Sequence, residues 1–442
     1  MKKTLNSGEV PASACPAACS GALFPFKKTL TLGASLFFLA FWSIETVSAA
    51  EITVPRLELA SRGWFVDGDF TVSSRISMDL ALSGGYKYSF LLGLSLEAPD
   101  VARAFAYRNF NYEPIAFDPA DPLDIDDLNT NFNALAEKQK NQAFLGFRVA
   151  KATINKPFNL PLSLSYFVGS GDDFCTGDDF SSLFGLYPFG TDFRGFFCFP
   201  DGIGGNMLRQ YNGVHGAKGT GLSLVYTGWD SFFIPMLYIY QDLAFLPDLF
   251  NTGSSVDNLY SGDVRLLFHW KWLSLEAFGG LSWNASMDVT VRSGLMFHLA
   301  GKGAEFFAQA GITSWDVGKK LNVDNMYFLI EPRLRFQYFA VHVTFFYHPV
   351  EYLHIVEDKE QGKADFNVKL MFGNAESGFT AGLESAVEFN IGDSDDINFR
   401  ISPFGSFTSG GLLWEAKIRL LPTKLTKPKE MMELFIGVRT AY

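Results

Sequence analysis

The chain has 442 residues, a formal net charge of −11, 16% aromatic residues with 46 Phe, 41 Gly and only 19% charged residues, yet its mean hydropathy is barely positive. Such a length accommodates two or three soluble domains or one large closed sheet. The mixture is unusual for a soluble enzyme and too polar for a bundle of membrane helices, and no nucleic-acid partner is expected of it.

The first element is a targeting segment. Residues 27–50, KKTLTLGASLFFLAFWSIETVSAA, place two lysines before an apolar run at 30–42, followed by Val47-Ser48-Ala49-Ala50. This is the pattern of a secretory signal, with cleavage expected near Ala49 or Ala50. The run is short for a membrane span, which makes a retained anchor the lesser alternative. The residues before it have no apolar period and read as an overlong translation start. Cys19 follows no apolar run, so the context of a lipoprotein is missing. Past residue 50 no run of about 18 apolar residues occurs, and no transmembrane helix is expected.

From there the informative signal has period two. In 70–82, Phe70, Val72, Ile76, Met78, Leu80 and Leu82 alternate with Thr71, Ser73, Arg75, Ser77, Asp79 and Ala81; Ser83-Gly84-Gly85 turns the chain, and 86–97 repeats the alternation, with Lys87 on its polar side. Strands this long exceed the usual five or six residues. The pattern predicts strands over 57–66, 70–82, 86–97, 143–150, 160–168, 219–227, 232–240, 262–272, 274–282, 288–299, 304–314, 325–338, 340–348, 363–372, 379–390, 397–407, 412–421 and 431–442, about eighteen in all. The count falls to fourteen or sixteen if the weakest (57–66, 143–150, 160–168) belong to loops. Short connections alternate with longer ones, notably 98–142, 169–218, 241–261 and 349–362. Short turns at one rim and long loops at the other are the pattern of an up-and-down barrel crossing a membrane.

Closure follows from solvation, because lipid leaves no backbone amide a partner outside the protein. The charges support it. Arg75, Asp79, Lys87, Asp263, Arg265, Lys271, Glu276, Arg292, Glu305, Glu331, Arg333, Arg335, Lys369, Glu384, Glu388, Arg400, Glu415, Lys417, Arg419, Glu433 and Arg439 all fall opposite the apolar face. An arginine on the lipid face would cost about 2–4 kcal/mol at mid-depth. Pro332 and Pro403 fall on the lipid face and are expected to interrupt their ladders.

The pattern over residues 51–442 resembles a bacterial outer-membrane β-barrel protein of the porin or nutrient-channel type, an all-β, transmembrane, up-and-down antiparallel barrel. The last strand, MELFIGVRTAY, puts Leu434, Ile436, Val438, Thr440 and Tyr442 on one face. A terminal aromatic resembles the signal such proteins present to the barrel-assembly machinery, although Phe is usual where this chain has Tyr442. The resemblance implies a single barrel domain in the cell outer membrane, with periplasmic short turns and termini and extracellular long loops. It implies a channel for passive or facilitated diffusion of small solutes, in contact with outer-membrane lipid and with homo-oligomers open to it. Alternatives are a long-chain fatty-acid transporter of the FadL type, with fourteen strands and an N-terminal plug, and a surface adhesin or structural protein.

The candidate site is the inward face rather than one residue. In VRLLFHWKW (264–272), Val264, Leu266, Phe268, Trp270 and Trp272 share the lipid face, whereas Arg265, Leu267, His269 and Lys271 share the other. Two cations beside His269 argue against a metal ligand, and it reads as part of a water-facing wall with His298, His342 and His348. The lumen-lining set comprises Arg75, Asp79, Lys87, Arg265, His269, Lys271, Arg292, Glu331, Arg333, Arg335, Glu384, Glu388, Arg400, Lys417 and Arg419. Charges of both signs either set a transverse field across a pore or pair off to stabilise a narrow or plugged one. The acidic run at 118–127 lacks the glycine of a calcium loop, and Cys175 and Cys198 are expected to form a loop disulfide worth about 3 kcal/mol. The aromatic stretch FSSLFGLYPFGTDFRGFFCF is a candidate lid or apolar slide. No cofactor, metal or catalytic constellation is expected.

Overall fold

Each of the alternating segments forms a strand. The computed structural model describes residues 51–440, apart from 67–68, 99–100, 102–142, 188, 192–212, 229–231, 243–259, 285–287, 349–350, 353–354, 357–362, 375–377, 391–392 and 427. The wall consists of β1 (Glu51–Val66), β2 (Asp69–Gly84), β3 (Tyr88–Ala98), β4 (Phe144–Asn155), β5 (Leu162–Phe174), β6 (His215–Tyr226), β7 (Phe233–Asp242), β8 (Tyr260–Trp270), β9 (Leu273–Trp283), β10 (Val289–Ala300), β11 (Ala304–Asp316), β12 (Met326–Arg335), β13 (Phe339–His348), β16 (Lys363–Asn374), β17 (Phe379–Asn390), β18 (Asp393–Ser409), β19 (Leu412–Leu420) and β20 (Met432–Thr440). A separate hairpin, β14 (Glu351–Tyr352) with β15 (Ile355–Val356), lies in the connection before β16.

Each wall strand pairs antiparallel with its neighbour, β13 pairs with β16, and Glu58↔Arg439 through Gly63↔Leu434 joins β1 to β20. The result is a closed sheet of 18 strands with no free edge, which is what a sheet needs in hydrocarbon. The presequence, the segment 102–142 with its acidic run, the glycine-rich 201–207, Cys198 and Tyr442 lie outside the described residues.

Exposure follows the alternation. In β12, Tyr327, Leu329, Glu331 and Arg333 are buried, whereas Ile330, Pro332 and Leu334 are exposed. Leu237, Ile239, Val264, Leu266, Trp270, Phe345, Phe366, Trp414 and Ile436 are likewise exposed on the outer face. Both prolines interrupt one ladder. Pairing of β12 with β13 passes from Ile330↔Phe345 to Arg333↔His342, and that of β18 with β19 from Ile401↔Leu420 to Phe404↔Lys417. The register is the same on either side, because a missing N–H removes a bond without adding a residue.

Several strands run further than the alternation predicts: β5 reaches Phe174, β6 begins at His215 and β1 begins at Glu51. The reversals also shift. Strands β8 and β9 meet at the Trp270↔Leu273 pair, so 271–272, not Leu273, make the turn. Its first residue, Lys271, has φ 53°. Lys87 and Lys271 are therefore corrected from the inward wall to exposed turn positions, because the chain reverses there and period two no longer applies.

Candidate functional site

The inward face has two different halves. From β16 round through β20 and β1 to β4 it is polar, carrying Asp365, Lys369, Glu384, Glu388, Arg400, Lys417, Arg419, Glu433, Arg62, Arg75, Asp79, Arg148 and Lys151. From β5 to β13 it is mixed and rich in aromatic rings: Phe167, Phe174, Tyr238, Tyr240, Leu267, Phe278, Met296, Phe307, Tyr327, Leu329 and Phe346 are buried beside Asp263, Arg265, Glu276, Arg292, Glu331 and Arg333. Residues of the connection after β5 cover that half, and Cys175 and Phe180 join the same buried cluster, with Leu183, Phe184, Leu186 and Phe189 packed on it.

The covering segment, 175–191, enters with Cys175 in the left-handed region (φ 61°) and contains one short helix, α1 (Asp179–Phe184), ended by Gly185 at φ 68°. Polar contacts hold both its ends. At the start, the Cys175 amide donates to Glu276 Oε1 at 2.5 Å, and Gln309 Nε2 donates to the Cys175 carbonyl. Arg265, 0% exposed, bridges the segment to the wall: its Nε donates to Glu276 at 2.6 Å, its Nη1 to Asp179, and its guanidinium lies 5.0 Å from the Phe174 ring. At the far end Thr191 donates to Glu331 Oε2 at 2.5 Å, Arg333 donates to the Gly190 carbonyl, and Phe189 stacks on His298 at 4.1 Å. Breaking a buried pair of this kind costs about 3–5 kcal/mol, because it leaves a charge without a partner.

Burial pushes the Asp179 carboxyl above its ordinary value, against the opposing pull of Arg265 and with the Asp172 carboxylate adding to the rise. Burial likewise raises the Cys175 thiol, as does Glu276 beside it. Cys175 is a free, fully buried thiol. That corrects the expected pairing with Cys198, since its side chain is taken up by the packed cluster.

The other predicted residues fall into networks along the wall. Arg292 reaches both oxygens of Asp263, at 2.7 and 2.9 Å, and the Tyr240 hydroxyl donates to the same carboxylate at 2.8 Å with His215 3.1 Å away. Arg333 pairs with Glu331 at 2.5 Å, and Arg335 with Glu305 at 3.1 Å. Lys417 pairs with Glu384 at 2.8 Å, Arg419 with Glu433 at 3.0 Å, and Arg400 with Asp365 at 2.8 Å and Glu388 at 3.5 Å. Arg75 is buried on β2, and Asp79 accepts from Arg148. His269 is only half-buried, 3.0 Å from Ser274 Oγ and beside the Phe184 ring. Among the described residues no three His, Cys, Asp or Glu side chains are grouped to hold a metal.

Strict alternation missed Arg148, Lys151 and Asp172. A bulge between Gly93/Leu94 and Phe147/Val149, and another in β5 past Ser170, reset the faces. Arg148 then pairs with Asp79, whereas Lys151, three positions on, pairs with Asp172 at 2.7 Å.

No family model matches the chain, and neither does any curated protein. Among solved structures it is similar to a mutant of Rh. blastica porin (9% identity, 89% of this chain and 100% of that one, TM-score 0.40). It is also similar to Pseudomonas putida OprB at low pH (8%, 94% and 98%, TM-score 0.39). A third likeness is to a loop-deletion mutant of OmpT from Vibrio cholerae (11%, 89% and 99%, TM-score 0.37). This chain's own wall, a closed antiparallel barrel of 18 strands with an apolar outer face and charges inside, is the architecture of a β-barrel that spans a membrane.

Proposed function

We propose that the barrel is a channel for passive or facilitated diffusion of small polar solutes, with 175–191 as its constriction. The observation that carries this reading is the division of the inward face. Docking the segment on the aromatic-rich half, β5 to β13, leaves the charged face of β16 to β4 to the remaining lumen. Partly exposed inward charges there support a water-filled path: the side chains of Arg148 and Arg439 are 34% and 39% exposed. Cations and carboxylates alternate along this wall, an arrangement that sorts solutes by their dipole and charge as well as by size. The fatty-acid transporter alternative expects fourteen strands, against the 18 present, and the inward charges give an acyl chain a poor path.

Reconstitution of the purified full chain in a planar bilayer tests the reading. Discrete conductance steps that scale with salt are expected; a folded, inserted protein without conductance at any salt refutes it. The inward roles of individual residues and oligomer formation are part of this proposal, and cysteine scanning along β16 to β20 with water-soluble thiol reagents checks the inward assignment.

A further inference from the structure

The rim that carries the short turns has a composition unlike the rest of the chain. Eight turns make it, joining β2 to β3, β4 to β5, β6 to β7, β8 to β9, β10 to β11, β12 to β13, β16 to β17 and β18 to β19. Four of them present an exposed lysine: Lys87, Lys156, Lys271 and Lys302. Exposed aromatic rings stand at or beside the same turns, with Phe158 at 94%, Tyr86 at 68%, and Trp270 and Trp272 at 54% and 53%. The described residues of these turns include no acid, and among the described residues none of the four lysines forms an ion pair. By sequence, Asp230 and Glu376 are the acids of these turns, and both lie outside the described residues; Glu51 is the exposed acid at the start of β1. In a chain of net charge −11, this is a local cationic surface.

The turn between β4 and β5 shows what medium the rim meets. Lys156, Phe158 and Asn159 have φ of 51°, 55° and 60°, the left-handed region that side chains other than glycine avoid. Hydrogen bonds from Lys156 N to the Leu162 carbonyl (2.7 Å) and from Leu160 N to the Pro157 carbonyl (3.1 Å) hold that shape. A strained turn that projects a phenylalanine almost wholly outward gains nothing from water. It fits the boundary between acyl chains and headgroups, where aromatic rings settle and lysines reach outward to charge.

We propose that the short-turn rim is a docking surface for the anionic phospholipid headgroups of the leaflet it faces. Rings fix its depth at the interface, and Lys87, Lys156, Lys271 and Lys302 reach from that depth to phosphate and to the net negative charge of the surface. Charge complementarity selects the occupant. A neutral lipid offers the rings an interface but leaves the four ammonium groups without a counter-charge. An acidic protein would satisfy the lysines but leave the rings in water. The inference stands or falls independently of conductance.

The test uses the full barrel reconstituted in nanodiscs of phosphatidylcholine and phosphatidylglycerol in equal parts, with the lipids retained on extraction counted by native mass spectrometry. Wild type should retain phosphatidylglycerol with an enrichment of about fivefold or more over phosphatidylcholine, the scale of one lysine engaged at an anionic surface. The variant Lys87→Gln/Lys156→Gln/Lys271→Gln/Lys302→Gln should retain the two equally, with folding checked by heat-modifiable migration. If that variant does not fold, Lys87→Gln and Lys302→Gln, neither in a left-handed position, should each lower the enrichment. No enrichment in wild type, enrichment that survives the substitutions, or stronger capture by soluble polyglutamate than by anionic vesicles overturns the proposal.

Discussion

Phe180→Ala unpins the segment without touching the wall. The ring is 0% exposed, 5.4 Å from that of Phe184 and 5.3 Å from that of Phe189, inside the cluster that joins the segment to β5–β13. Truncation of a buried phenylalanine costs about 3–5 kcal/mol, from lost transfer and the cavity left behind. At about 1.4 kcal/mol per tenfold, the ratio of docked to undocked segment falls by roughly 10² to several times 10³-fold. The polar contacts of Asp179 and Thr191 remain, so the segment should visit the undocked state rather than lose the docked one. No ladder residue changes, and the barrel itself should keep its thermal stability. Single-channel recording should show excursions to a larger conductance that wild type lacks. An unchanged conductance histogram from a correctly folded variant would refute the idea that packing in the lumen sets the constriction.

All eighteen expected strands are present, because lipid imposes one rule on every residue of a spanning strand and leaves a signal of period two. Where the rule lapses, legibility does too. At 270–272 the order Trp-Lys-Trp prolongs the alternation through a reversal that backbone geometry decides. At Arg148 and Lys151 a bulge adds a residue, so one face carries charges three apart. The docked segment left a trace of another kind: IPMLYIY in β7 is apolar on both faces, and GLMFHLA in β10 is so apart from His298, on which Phe189 stacks. Such a strand in a barrel implies that something apolar covers its inner side, and FSSLFGLYPF at 180–189 is a segment of matching character. The partners within that contact were not legible, since Arg265 with Asp179 and Glu331 with Thr191 are 86 and 140 residues apart, and only the closed sheet brings them together.

Two further outcomes follow from the docked segment. Cys175, buried and with its thiol raised by burial, should resist a maleimide reagent in folded wild type and react in Phe180→Ala; equal rates would mean that the segment does not leave the wall. The second outcome is a pH dependence whose sign Asp179 fixes. Its carboxyl lies above the ordinary value of 3.8 in the docked state, and returns to that value when the undocked segment meets water. The docked state therefore holds the proton more tightly. Docking carries a penalty at neutral pH, which fades as pH falls through the raised pKa and is gone below 3.8. Acid should accordingly favour the constricted state, with fewer large-conductance excursions, most visibly in Phe180→Ala, where they are frequent. Asp179→Asn keeps an oxygen for Arg265 and cannot titrate, so it should flatten the dependence and hold the low-pH behaviour at neutral pH. Other carboxylates at the contact, Glu276 and Glu331, are common to both proteins, and the difference between the two profiles isolates Asp179. Excursions that become more frequent in acid, or a profile that Asp179→Asn leaves unchanged, would show that this carboxyl does not govern docking.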